Sequence, residues 1–205
     1  MDTQDFAPLK RQIYLAYHQD GILDLIAGFV VLGFGTSMLT DNFMFLMAGW
    51  LFIPMYYILK KRVTIPRFGY VRIDSQEKAW VRAWAGVGAG VLFVLLFAIL
   101  NIFVSRGADP SAGIVAWIRR YDMVLLSAML FGLPALVAAI FLGLKRFYLY
   151  AFLAAALPAA GVWLNLPEYV PILALGVIAV VLGAVLLFNF MKKYPPDAEG
   201  EYANG

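Results

Sequence analysis

The chain has 205 residues, of which 63% are hydrophobic and 14% charged, with a net charge of +3 and no cysteine. A soluble domain carries roughly 45–50% apolar and about 25% charged residues, so this composition excludes a water-covered surface and points to a polytopic membrane protein. Disulfides, cysteine-ligated metals and thiol nucleophiles are excluded, and the single histidine, His18, excludes a histidine metal cluster.

The opening "MDTQDFAPLKRQIY" does not read as a signal peptide, because no basic start leads directly into an apolar core and a small-residue cleavage site. Over residues 5–18, Phe6, Leu9, Ile13, Ala16 and Tyr17 recur at spacings of three and four, with Lys10 and Arg11 off that face. This pattern predicts a helix lying in the headgroup plane.

Six blocks are apolar and long enough to cross a bilayer, which takes about 20 residues. They cover approximately 22–39, 43–59, 83–104, 122–142, 147–165 and 171–191. The whole of 1–205 reads as one six-span domain, with a flexible C-terminal tail over 192–205. The basic loop after the second block contains "RVTIPRFGYVRI". Val63 and Ile65 alternate with polar neighbours, Tyr70, Val71 and Ile73 favour strands, and Pro66 and Gly69 favour a turn. Residues 62–73 are therefore expected to be extended and hairpin-like. The loop "SRGADPSAGIVAWIRRYD" is expected to hold a short surface helix at 112–120.

Orientation follows from Lys and Arg in short loops. Lys10, Arg11, Lys60, Lys61, Arg62, Arg67, Arg72, Lys78, Arg82, Lys145, Arg146, Lys192 and Lys193 fall on one side, thirteen in all, against Arg106, Arg119 and Arg120 on the other. This bias puts both termini in the cytoplasm. Tyr56, Tyr57, Trp80 and Trp84 flank the basic loop, and Trp117, Tyr121, Trp163 and Tyr169 fall near the opposite face, as interfacial rings prefer. The expected location is the plasma (inner) membrane.

The candidate functional residues are few. Asp20 and Asp24 share a face if the first helix extends back that far. An intramembrane carboxylate is a site hypothesis by default. Asp24, however, lies about 3–5 Å inside the span, where an acid costs less than the roughly 2.5–3.5 kcal/mol it costs at a helix centre. The preferred reading is an interfacial anchor paired with Lys10, Arg11 or the basic loop, with a proton or cation site as the alternative. No ionisable residue sits near the centre of any block, which disfavours a proton-coupled carrier. Pro54, Pro134 and Pro158 lie inside blocks and shape packing more often than cavities. Gly86 and Gly90, and Ala179 and Gly183, are small pairs suited to helix packing, within the chain sooner than between copies. The basic loop, with Arg62, Arg67 and Arg72, is suited to anionic lipid or an acidic protein partner. No nucleic-acid, cofactor or metal motif appears.

Four phrases, "DGILDLIAG", "IPRFGYVRI", "KRFYLYA" and "FNFMKKYP", together give the chain an arrangement that resembles an uncharacterised family of multi-spanning prokaryotic membrane proteins. The resemblance covers most of the chain, and its most distinctive part is Pro66-Arg67-x-Gly69-Tyr70-Val71. It implies no known activity, substrate or cofactor, and it ranks Asp20, Asp24, Pro66, Arg67, Gly69 and Tyr70 as the first positions to mutate. "DGILD" also resembles the start of the aspartate motif of membrane CDP-alcohol phosphotransferases, but no later aspartate completes a metal set, so that activity is rejected. The function expected is a non-enzymatic membrane module that binds a partner or lipid. The alternatives, in order, are a small transporter for an uncharged or lipidic solute and an intramembrane enzyme.

Overall fold

A computed structural model describes residues 18–64 and 120–195, together with the helical residues Gly88, Ile99 and Ile102. The described residues are helical, with short connections and no strand. The helices are α1 (Ile22–Thr40), α2 (Phe43–Leu59), α3 (Asp122–Ser127), α4 (Leu133–Leu142), α5 (Arg146–Trp163) and α6 (Tyr169–Lys193). A π-helical turn, Lys60–Thr64, prolongs α2, and a second, Ala128–Gly132, joins α3 to α4 in one continuous rod. Five of the resulting rods are long and apolar enough to cross a membrane.

The ends of these helices have local causes. At the N-terminus of α1, Gly21 takes a left-handed conformation at φ 76°. Gly21 can do this without strain, and a Cβ there would collide with the carbonyl of Gly183 on α6. The α1–α2 turn is tight: Asp41 is left-handed at φ 50°, and Asn42 caps α2 by accepting from the Met44 N–H at 2.9 Å. Gly143 closes α4 in the left-handed region at φ 68°. The π turn before α4 ends two residues before Pro134, which has no N–H to give to the carbonyl four residues back. Leu133 donates five residues back, to Ala128, and so widens the turn.

Helix α6 packs most extensively on α1. Gly28 and Gly183 let the backbones approach, since added Cβ atoms would lie 2.7 Å from Val180 and 2.6 Å from the Leu25 nitrogen. Ala179 is buried as well. The small pair Ala179 and Gly183 therefore serves packing within the chain, where lipid gives no hydrophobic drive and close van der Waals contact must substitute. Val31, Ala154, Ile172 and Leu175 form one buried cluster, and Ala139, Leu144, Phe147, Tyr150 and Ala179 form another. The Ser127 hydroxyl donates to the Ala154 carbonyl at 2.7 Å and ties α3 to α5. Outward faces carry large apolar side chains such as Phe43, Met44 and Leu51 on α2 and Val181, Val185 and Phe188 on α6.

Residues 62–64 are helical and not extended as the sequence suggested: the π turn continues α2 through Thr64. The helix persists because Thr64 and Lys60 are held by a buried acid on α1's approach, described below. The rest of the expected hairpin, the N-terminal interfacial helix up to residue 17, the pair Gly86 and Gly90, and most of the third block and of 112–120 lie outside the described residues. Helix α6 runs through Lys193, two residues beyond the expected edge.

Candidate functional site

The start of α1, the end of α2 and the start of α5 meet at one end of the bundle, and four charged side chains meet there with them. Asp20 lies just ahead of α1 and is fully buried. Its Oδ1 accepts from the Ile22 N–H at 3.2 Å, satisfying one of the free donors of the helix start. Its Oδ2 accepts from the Thr64 hydroxyl at 2.6 Å and pairs with the Lys60 ammonium at 2.6 Å. Lys60 and Thr64 are four residues apart, which places both on one face of the π turn. Both are buried, and the Lys60 ammonium also stands 5.7 Å from the centre of the Tyr56 ring.

Asp24, in the first turn of α1, is also fully buried. Its Oδ1 accepts from the Tyr150 hydroxyl at 2.9 Å. Its Oδ2 lies 2.7 Å from Arg146 Nη2. That nitrogen directs a hydrogen bond to the His18 carbonyl, also at 2.7 Å, so its contact with Asp24 is an ion pair by proximity and not a well-aligned hydrogen bond. Arg146 Nε is buried without a hydrogen-bond partner. Arg146 and Tyr150 are four apart on α5 and so present both donors from one face.

The two acids and two bases cancel in charge. Such a cluster does not outcompete an apolar core in stability, because desolvation offsets the attraction, but loss of one member strands another in low dielectric. Its effect is to fix the relative positions of α1, α2 and α5. Every carboxylate oxygen already has a neighbour, and among the described residues no group of three His, Cys, Asp or Glu side chains is arranged to hold a metal ion.

Two concavities flank the cluster. One, about 460 Å³, is an open apolar cleft walled by α1, α2, the α3–α4 rod, α5 and α6. Leu23, Ile26, Val30, Phe131, Pro134 and Ala138 are among its residues, and of the described lining residues only Tyr56 and Tyr150 carry hydroxyls. The other, about 450 Å³, lies between Gln19, the first turn of α5 and the last turns of α6.

Compared with known proteins, the chain matches no family model, no curated protein and no solved structure. Its site is therefore read from its own residues. The phrase "DGILDLIAG" supplies Asp20 and Asp24, and "KRFYLYA" supplies Arg146 and Tyr150, so two stretches far apart in sequence build one cluster.

Asp20 and Asp24 are thus brought close to one end of the bundle, but not as one helical face, because Asp20 precedes the helix. The partner of Asp24 is Arg146, from outside the segments expected to supply it. The first residue of the basic loop, Lys60, pairs instead with Asp20. Arg62 is exposed. Pro66, Arg67, Gly69, Tyr70 and Arg72 lie outside the described residues. Sequence reasoning did not single out Lys60, Thr64, Arg146 and Tyr150. The available signal was a polar residue four positions from a cation at a span end, in both Lys60–Thr64 and Arg146–Tyr150.

Proposed function

We propose that this chain is a multi-pass protein of the plasma (inner) membrane, with both termini cytoplasmic, that acts as a non-enzymatic module binding a lipidic ligand. The observation that supports this reading is the apolar cleft of about 460 Å³. Its size falls within the roughly 300–1,000 Å³ of ligand pockets, and apolar walls with a few placed hydroxyls are the usual lining of such sites. An acyl chain or comparable apolar body fits those walls, whereas an ion or sugar would find almost no hydrogen-bonding partner there. The basic loop, with Arg67 and Arg72, adds attraction for anionic lipid in the same leaflet. The chain belongs, on this reading, with the uncharacterised prokaryotic family it resembles.

The test uses the full chain in bilayers containing a phospholipid with a photoactivatable acyl chain. Crosslinks are expected on peptides carrying Leu130–Ala138, and Ala138→Trp, which fills the cleft, is expected to remove them while the protein stays folded. Crosslinks confined to outward residues such as Leu51 and Val181, and unchanged in Ala138→Trp, overturn the reading.

A second reading, a transporter for an uncharged or lipidic solute, is favoured by one feature. Pro134 lines the cleft two residues after a π turn, and such breaks in the hydrogen-bond ladder are frequent where a helix bends or works. Movement of a fluorescent lipid between leaflets of proteoliposomes separates it from the binding module.

A further inference from the structure

The second concavity carries a separate inference. It is formed where the turn before α5, the last turns of α6 and Gln19 converge. Its polar lining is Gln19, Lys145, Arg146, Asn189, Lys193 and Tyr194, with no carboxylate among the described residues. Three cations therefore surround one recess of about 450 Å³.

The three are not equivalent. Arg146 is balanced from behind by Asp24 and pinned by the His18 carbonyl, which makes it a fixed wall. Its buried Nε has no hydrogen-bond partner, an unmet donor at this end of the bundle. Lys145 and Lys193 are exposed, and neither makes an ion pair among the described residues. Lys193 rests 5.4 Å from the Tyr194 ring centre, a contact that leaves the ammonium's hydrogens available. Among the described residues, the pocket thus keeps two positive charges with no acidic partner. The first turn of α5 brings the positive end of a helix dipole and the last turn of α6 a negative end, so the positive charge of the recess comes from its cationic side chains. Asn189 contributes a side-chain amide from the last turns of α6.

We infer that this pocket binds a phosphate group, carried either by an anionic phospholipid headgroup or by a free phosphate. Basic pockets between membrane helices hold lipid headgroups in this manner, and the end of a bundle is the depth at which headgroups lie. Two lysine ammoniums act as point charges, and the amides supply directed hydrogen bonds. The inference uses none of the apolar cleft, so either proposal stands if the other fails.

The experiment uses the full purified chain. In neutral detergent at constant ionic strength, thermal stability is followed as chloride is replaced by inorganic phosphate. In nanodiscs, retained lipid is counted by native mass spectrometry for phosphatidylglycerol mixed into phosphatidylcholine. Stabilisation by inorganic phosphate assigns a free phosphate, and enrichment of phosphatidylglycerol alone assigns the headgroup. In whichever arm binds, Lys145→Gln with Lys193→Gln is expected to weaken binding roughly 30-fold, since each surface cation is worth on the order of one unit of binding energy in kcal/mol. Both substitutions are exposed and spare the buried cluster, and the unliganded double variant should melt as the parent does. Exposed Lys192→Gln, on α6 but outside the pocket lining, serves as the charge control. The inference is overturned if neither arm shows binding, if the Lys145 and Lys193 variant binds as the parent does, or if the control weakens binding equally.

Discussion

Replacing Asp24 with asparagine keeps the shape of the side chain and removes its charge, so it measures the cluster directly. The amide oxygen can still accept from the Tyr150 hydroxyl, so that hydrogen bond survives. The loss falls on Arg146, whose side chain is 20% exposed, while the other nearby acid, Asp20, is taken by Lys60. Stranding a fully buried charge costs about 3–5 kcal/mol. Arg146 keeps the His18 carbonyl and some access to solvent or headgroups, which brings the expected loss to about 2–3 kcal/mol. Asp24→Ala also orphans the buried Tyr150 hydroxyl, at a further ~1–3 kcal/mol. An exposed ion pair, by contrast, is worth about 0–1 kcal/mol. The assay is reversible unfolding in mixed micelles, run as a double-mutant cycle with Arg146→Gln. The cycle should return a coupling of roughly 2 kcal/mol, with the double variant more stable than the sum of the singles. A folded Asp24→Asn protein that loses less than about 1 kcal/mol, with coupling near zero, would refute the reasoning.

Asp20→Asn should destabilise more than Asp24→Asn in the same assay, because Lys60 is only 4% exposed against 20% for Arg146; the reverse order would contradict the burial argument. Gly183→Ala should lower the yield of folded protein, since its Cβ would lie 2.6 Å from the Leu25 nitrogen on α1; size-exclusion and thermal scans of the purified variant decide. Because the chain has no native cysteine, single cysteines at exposed Thr40 and Glu168 should react with an impermeant thiol reagent added to intact cells, and one at exposed Lys61 should not. Labelling at Lys61 from outside would reverse the proposed sidedness.

The helices were legible because crossing hydrocarbon demands a fixed length of apolar chain. Block 43–59 matches Phe43–Leu59, and 147–165 matches Arg146–Trp163 within two residues. The polar continuation of α2 was not legible. "KKRVT" looks like the start of a loop, and only a partner on α1's approach, Asp20, makes it worth keeping helical. Asp20 and Asp24 stood out because acids near apolar runs are conspicuous. Their partners did not, because a lysine or arginine at a span end looks the same whether it sets topology or fills an ion pair. Tyr150 was lost among other interfacial aromatics for the same reason. Pairing across 126 positions, as between Asp24 and Tyr150, leaves no periodic trace in the sequence.

That separation also orders the making of the protein. At about 5–20 residues per second, Thr64 follows Asp20 out of the ribosome after roughly 2–9 s, across 44 positions. Tyr150 follows Asp24 across 126 positions, after roughly 6–25 s. The first two helices can therefore lock through Asp20 while Asp24 still waits beside lipid for α5. An unmated carboxylate in hydrocarbon is a cost carried until the fourth described span inserts, and a nascent chain that stops short keeps it. The acid that clamps the finished bundle is thus the group that an unfinished one leaves unpaired.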